Sequence, residues 1–208
     1  QKIEKVLINF KKSFQNDLTS HQIFNIFKKN LRILLFLINE KFIILDEYIV
    51  KSLPKYFLPE IKHFPHIVEE NDLRKEELPE NFNEKRLIGE NDSIICQLIR
   101  EDAIDQFISY VNQNDISLET EIQYSIFETN SFLLSNHQIS LIEYAAFFGS
   151  VQIFKYLFLN KANLRESIGL FAIHGEHPEI INILEENNNN YFSGCLIEAI
   201  KCHHIDTA

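Results

Sequence analysis

The chain has 208 residues, 45% of them hydrophobic, and a formal net charge of −10. This length accommodates one elongated domain, or a small domain followed by an array of repeats. Three cysteines, an odd number, argue against a disulfide framework and for a reducing compartment. The most apolar run, Ile33 to Ile38, is far shorter than the roughly 20 residues that a membrane span requires. We therefore expect a cytoplasmic protein without a signal peptide or membrane partner.

Charge is distributed unevenly along the chain. Residues 1–62 hold 11 Lys/Arg and 6 Asp/Glu, a net charge of +5, and the remainder carries −15. Because an acidic surface repels phosphate backbones, nucleic acid is not expected as a partner of the C-terminal part. The N-terminal lysines are spread out, which is typical of the solvated faces of amphipathic helices.

Residues 1–52 predict an N-terminal helical subdomain or cap. The first predicted helix has a coiled-coil-like apolar seam of Ile3, Leu7, Phe10 and Phe14. A second helix is predicted from a cap at Thr19 or Ser20 to about Asn39, and a third is predicted to end before Pro54. These helices favour a cap for the following array, with self-association through residues 1–51 as the alternative.

Residues 53–91 predict an acidic, proline-containing connector. Four of the five prolines lie here, and acidic residues crowd its second half. Proline removes backbone donors and charge resists burial, so we expect a mostly irregular segment with short helical turns. Its apolar side chains are expected to pin it against the neighbouring helices, and they are Phe57, Phe64, Phe82 and Leu87.

Residues 92–208 predict an array of short helix pairs. Ala145 recurs 27 residues later as Ala172 and again as Ala199, and the apolar positions of the following helix recur with the same offset. A divergent pair is predicted 47 residues upstream, and residues 112–121 predict a projecting turn. The predicted helices lie at 93–100, 103–111, 138–147, 151–159, 165–174, 178–186 and 193–202.

The ends of the chain suggest a piece of a longer polypeptide. It begins with Gln1, contains no methionine, and stops where the second helix of a repeat is expected. We therefore expect the array to be truncated at its C-terminus.

The run Ser140 to Leu157 resembles an ankyrin repeat. Its paired Ala145 and Ala146, the turn glycine Gly149 and the closing Leu157 follow the ankyrin pattern, although the proline and histidine of the usual opening are missing. The runs Phe127 to Gly149 and Ala172 to Glu186 are also similar to the divergent, short-repeat ankyrin-like proteins expanded in trichomonad protists, a family without an assigned activity, and this similarity extends over most of the chain. The resemblance implies an all-α, ankyrin-like solenoid with reduced or absent hairpin fingers.

Catalysis is not expected, and neither is a cofactor. No phosphate-cradling glycine loop or oriented nucleophile is present. A zinc site is considered on a His/Cys/Glu-rich constellation, but the histidines fit turn positions of the repeats, so no metal is expected. That constellation comprises His174, Glu176, His177, Glu179, Cys195, Cys202, His203 and His204.

The remaining function is protein binding. In ankyrin-like arrays the positions after the paired alanines face the concave groove, and the corresponding residues here are Arg100, Glu101, Phe147, Phe148, His174 and Lys201. We expect one of the two adjacent phenylalanines to be exposed as a hot spot, or both to pack in the core. The chain is interpreted as a non-enzymatic scaffold for a protein partner, or alternatively as a recognition or adaptor subunit of a larger enzyme complex.

Overall fold

The computed structural model describes residues 2–70, 77–187 and 190–202. Within these ranges 62% of the residues are helical, and no strand is present, so the chain is all-α as predicted. The extended pairing found there is an isolated antiparallel bridge between Glu121 and Ser140. None of the helices in the described ranges is both long enough and apolar enough to cross a membrane.

The chain forms two compact units. The N-terminal unit contains the described residues up to Asn91 together with Ser125–Ser135. The C-terminal unit contains Asp92–Tyr124 and the described residues from Asn136 onward. The segment 125–135, which the repeat pattern places inside the array, thus belongs with the N-terminal unit.

The N-terminal unit is built from short helices around a main apolar core, with a separate, smaller cluster of Leu58, Phe82 and Phe127. The core includes Ile23, Leu34, Leu37, Ile49, Tyr56 and Phe57, all nearly inaccessible to solvent. A 3₁₀ turn covers Lys55–Phe57. The helices are α1 Lys2–Asn9, α2 Lys11–Asp17, α3 Ser20–Phe27, α4 Leu31–Asn39, α5 Glu47–Lys51, α6 Leu58–Ile61, α7 Pro65–Glu70, α8 Phe82–Ile88 and α11 Ser131–Ser135.

The single helix predicted from Thr19 to Asn39 is in fact two helices. Thr19 caps α3 through a capping box with Gln22, as expected. The Asn30 side chain then accepts a hydrogen bond from the Ile33 backbone N–H and so starts α4 as a new helix. Asparagine favours the cap position over the helix interior, so the helix ends and a new one begins at Asn30 although the spacing of apolar residues continues across it.

The predicted seam of the first helix is only partly buried. Leu7 lies in the core, whereas Ile3 and Phe10 are 60% and 56% exposed. Self-association through residues 1–51 stays a prediction.

The segment predicted as a mostly irregular connector is instead largely helical in its described residues, and it packs within the N-terminal unit. Phe57 is buried in the main core and Phe64 packs against that core, as expected. Phe82 is buried in a smaller cluster, whereas Leu87 is 69% exposed. Arg86 Nη1 donates to both carboxylate oxygens of Glu60, at 3.0 and 2.8 Å, and this buried ion pair joins α8 to α6. Residues 71–76 lie outside the described ranges.

Hydrogen bonds explain why Ser125–Ser135 joins the N-terminal unit. The Thr129 N–H and hydroxyl both donate to the Gly89 carbonyl, at 3.1 and 2.7 Å. The Glu128 carboxylate accepts from the backbone N–H of Asn91 at 3.3 Å and from those of Thr129 and Asn130. These contacts close a loop whose apolar anchor, Phe127, packs edge to face on Phe82.

The C-terminal unit consists of helix pairs in a fixed register. The helices are α9 Ile94–Arg100, α10 Ile104–Gln113, α12 Leu141–Phe148, α13 Val151–Leu159, α14 Ile168–Gly175, α15 Pro178–Glu186 and α16 Leu196–Cys202. Helices α12 and α14 begin and end 27 residues apart, and so do α13 and α15, which matches the period read from the alanines. Helices α9 and α10 begin 47 residues before α12 and α13, also as predicted.

The helices of this unit pack in two rows. The first helices of the pairs form one row in the order α9, α12, α14 and α16, and the second helices form another in the order α10, α13 and α15. Helix α12, at the middle of the first row, is buried on almost every side from Leu141 to Phe147. A helix that is apolar all round must be covered on all faces, and its neighbours in both rows cover it.

The turn between the two helices of a pair has the same conformation three times. Asp102, Gly149 and Glu176 occupy equivalent positions and all have left-handed backbone, with φ of 48°, 66° and 47°. Only Gly149 has the residue type that favours this conformation. The turn therefore keeps the same backbone conformation in all three pairs, although the residue at this position differs from pair to pair.

Candidate functional site

The side chains predicted to bind a partner lie at the C-terminal ends of the first-row helices. The ends of α9, α12, α14 and α16 come side by side because each helix of the row contacts the next. We call this surface the helix-end face, and it comprises Arg100, Glu101, Tyr144, Phe147, Phe148, His174, Glu198, Lys201 and Cys202.

Arg100 connects α9 to α12. Its Nη1 donates a hydrogen bond to the Tyr144 hydroxyl at 2.9 Å, and its guanidinium lies 5.9 Å from the centre of the Phe148 ring. The second contact is a cation–π interaction. Glu101 is exposed beside it and accepts a hydrogen bond from Gln97 at 2.9 Å.

The two adjacent phenylalanines differ in exposure. Phe147 is buried, with 8% exposed, whereas Phe148 is half-buried. The Phe148 ring lies 4.7 Å from that of Tyr144 and 4.9 Å from that of Phe147. Phe147 in turn packs against the His174 ring at 5.1 Å with a tilt of 30°. An unbroken row of rings thus runs from α12 to α14, and Phe148 is its more accessible phenylalanine.

His174 lies in a cluster with Glu198 and Cys202 of α16. Its Nε2 is 3.1 Å from Glu198 Oε1, and the Cys202 Sγ is 3.4 Å from Nδ1 and 3.6 Å from Nε2. Lys201 is exposed and donates to Glu198 Oε2 at 3.0 Å. The cluster ends the helix-end face at α16.

Burial and charge set the protonation of this cluster. Burial alone would raise the pKa of Glu198, but hydrogen bonds from Lys201 and His174 outweigh it, and the pKa lies below its ordinary value. Burial, together with the Glu198 charge, raises the pKa of the Cys202 thiol. Burial also raises the pKa of Cys195. Neither thiol has the lowered pKa of a reactive cysteine.

The larger constellation considered for zinc does not assemble as a whole. His177 caps α15 by accepting from the Glu179 N–H at 3.4 Å, and the Glu179 carboxylate pairs with Lys155. Cys195 is buried and donates to the Tyr191 carbonyl. His203 and His204 lie outside the described residues. Of that constellation, the structure brings His174 and Cys202 together.

Two residues of the helix-end face are not among the predicted site residues. The first is Tyr144, whose hydroxyl accepts a hydrogen bond from Arg100. Glu198 was not among the metal candidates, although it lies four residues before Cys202 and therefore on the same side of one helix. That spacing was the available signal.

Comparison with known proteins adds no family assignment. No family model matches the chain, and no curated protein or solved structure matches it.

Proposed function

We propose that the C-terminal unit is an ankyrin-like array that binds a segment of a partner protein on the helix-end face and has no catalytic role. The observation that carries this proposal is the constant register of its helix pairs. All three pairs keep the same spacing between the starts of their two helices, although the first pair lies 47 residues before the second and the second 27 residues before the third. Pairs of this kind, stacked in two rows, present equivalent positions side by side, which is how repeat proteins build extended binding surfaces.

The side chains of the helix-end face support binding of a peptide segment. Phe148 offers a half-buried aromatic ring on a rigid helix, and such rings are common energetic centres of interfaces. Exposed charges of both signs flank it, with Glu101 at one end and Lys201 at the other. This arrangement of an aromatic centre and a polar rim is typical of protein interfaces.

The charge of the chain favours a basic partner segment. Residues 92–124 and 136–208, which make up the C-terminal unit, hold 15 Asp/Glu and 5 Lys/Arg, a net charge of −10. Long-range attraction to this unit speeds the approach of lysine- and arginine-rich segments. We infer an extended segment that places basic side chains around an apolar residue that contacts Phe148.

The test is selection of peptides from a displayed random library on the intact chain. We expect enrichment of sequences that combine Lys or Arg with an apolar residue. Phe148→Ala should weaken the selected peptides about tenfold or more, because truncating a hot-spot aromatic costs about 1–2 kcal/mol or more.

Phe158→Ala is the matched control. Phe158 is also a half-buried phenylalanine of the same unit, but it lies on α13 in the second row and stacks on Phe154. Its replacement should leave peptide affinity unchanged. Failure to enrich any peptide, or loss of binding with Phe158→Ala and not with Phe148→Ala, would refute the proposed face.

A further inference from the structure

A cluster of three metal-ligating side chains lies between α14 and α16. His174, Glu198 and Cys202 each offer one ligand atom, and these atoms all lie within 4.8 Å of one another. We propose that the three side chains form a binding site for one Zn²⁺ ion, with His174 Nε2, Glu198 Oε1 and Cys202 Sγ as protein ligands and water in the fourth position.

The spacing of the donor atoms fits tetrahedral zinc. Zinc binds imidazole nitrogen and carboxylate oxygen at about 2.0–2.1 Å and thiolate sulfur at about 2.3 Å, so tetrahedral geometry separates nitrogen from oxygen by about 3.3 Å and nitrogen from sulfur by about 3.5 Å. The corresponding distances are 3.1 Å from His174 Nε2 to Glu198 Oε1 and 3.6 Å from Nε2 to Cys202 Sγ. The Cys202 Sγ also lies 3.4 Å from Nδ1, and it is within 4.8 Å of the Glu198 carboxylate, so the thiol must turn toward the Nε2 side before one ion can reach all three ligand atoms.

The type of donor selects the metal. Magnesium and calcium prefer sets made of oxygen atoms, whereas a set with one nitrogen and one sulfur favours zinc among the commonly available divalent ions. On binding, the Cys202 thiol releases its proton to solvent and becomes a thiolate, since the thiolate is the form that ligates metal. The proton that His174 Nε2 shares with Glu198 is also displaced, to solvent or to Nδ1, so that Nε2 ligates as neutral imidazole.

Neighbouring groups already orient two of the three ligands. Lys201 Nζ holds Glu198 Oε2 at 3.0 Å, which directs the other carboxylate oxygen toward His174. The Phe147 ring packs on the imidazole of His174 and restricts its plane. Outer contacts of this kind are what tune and hold the ligands of zinc sites.

The location of the site predicts what the metal does to the protein. His174 lies on α14, whereas Glu198 and Cys202 lie on α16, one turn apart. A bound ion would therefore tie the last two described helices of the first row together. Because the metal binds the folded form of this site, zinc should raise the melting temperature of the chain.

The experiment uses the intact chain after treatment with a chelator and dialysis. Zinc is titrated in competition with a chromophoric chelator, and cobalt(II) is added in a parallel sample as a spectroscopic probe. We expect one zinc per chain, a thiolate-to-cobalt charge-transfer band, and the intense visible absorption of tetrahedral cobalt.

Substitutions assign the ligands. Cys202→Ser should abolish the charge-transfer band, and each of Cys202→Ser, His174→Ala and Glu198→Gln should weaken zinc by more than the roughly 10–100-fold that loss of an outer-shell partner costs. Cys195→Ser and His177→Ala are the matched controls. Cys195 donates to the Tyr191 carbonyl and His177 accepts from the Glu179 N–H, so neither side chain belongs to the proposed ligand set. Both controls should bind zinc as the unaltered chain does.

A thiol-protection assay covers any variant that fails to fold. In the unaltered chain, zinc should slow the alkylation of Cys202 by a larger factor than that of Cys96, which is fully buried and reacts only when the fold opens. An octahedral cobalt spectrum without a thiolate band, zinc binding that survives Cys202→Ser, or alkylation of Cys202 that zinc does not slow would overturn the site. These outcomes are separate from peptide binding, which is tested at Phe148.

Discussion

The helix pairs α12–α13 and α14–α15 have identical lengths and register but are held in place by different contacts. In the first pair, the N-terminus of α13 is capped from the preceding pair, because the Asp102 carboxylate accepts the N–H groups of Gln152 and Ile153 at 3.0 Å each. In the second pair, α15 is capped by its own His177. The start of α13 is thus capped by a residue of the preceding pair, whereas the start of α15 is capped by a residue of its own pair.

The two pairs also differ at the ends of their first helices. Phe148 closes α12, and the equivalent residue of α14 is Gly175. A Cβ atom on Gly175 would lie 2.0 Å from the Ala146 carbonyl oxygen, so the glycine permits a close approach of α14 to α12. The helix-end face therefore carries an aromatic ring at the end of α12 and no side chain at the equivalent position of α14.

The largest expected effect is that of Gly175→Ala. Its methyl group meets backbone rather than a movable side chain, so α12 and α14 must separate. We expect the free energy of unfolding to fall by about 3 kcal/mol, at the upper end for an overpacked site, in urea denaturation followed by circular dichroism.

Gly194→Ala provides the comparison for that substitution. No atom lies within 4 Å of a Cβ at Gly194, and only its left-handed backbone, with φ of 81°, opposes the change. Its cost should be about 1–2 kcal/mol. Equal costs for the two substitutions would show that the close approach of α12 and α14 is not what limits position 175.

The capping difference predicts unequal effects at the two turns. Asp102→Ala removes an acceptor for two backbone donors and should cost about 1–2 kcal/mol of unfolding free energy. His177→Ala removes one bond of 3.4 Å and should cost about 0.5 kcal/mol or less. Hydrogen exchange at the first amides of α13 and α15 should report the same order, and the reverse order would contradict it.

Two substitutions at equivalent turn positions should have effects of opposite sign. Gly149→Ala forces a side chain into left-handed backbone, with its Cβ 3.2 Å from the Gly175 carbonyl oxygen, and should destabilise the chain by about 1–2 kcal/mol. Glu176→Gly, at the equivalent position, relieves the same strain and should stabilise it by about 0.5–1 kcal/mol. Thermal melts of both variants check this, and destabilisation by Glu176→Gly would show that the glutamate side chain supports the turn.

Helices of the C-terminal unit were predictable because local signals mark both their faces and their ends. Apolar spacing indicates α13 and α15, and Pro178 lies in the first turn of α15, where its missing N–H is tolerated. The break at Asn30 and the placement of 125–135 were not predictable in the same way. Asn30 fits the sequence pattern both as a helix cap and as a helix-interior residue, so the sequence does not decide between one helix and two. The placement of 125–135 depends on a hydrogen bond from Thr129 to Gly89, which is 40 residues away in sequence.

The helix-end face was predictable in part. The repeat register indicated that Arg100, Phe147, Phe148, His174 and Lys201 occupy related positions, and the structure places them on consecutive helix ends. The exposure of each phenylalanine was not predictable, because it depends on the rings of Tyr144 and His174 that pack on them. The role of Glu198 emerges only when α16 packs on α14.

Hydrogen exchange in the presence of a selected basic peptide tests the proposed binding face most directly. We predict that the peptide protects amides at the ends of the first-row helices, within 97–102, 145–149 and 172–176. Protection confined to the second-row helices α10, α13 and α15 would contradict the account, because it would place the partner on the opposite row of the array.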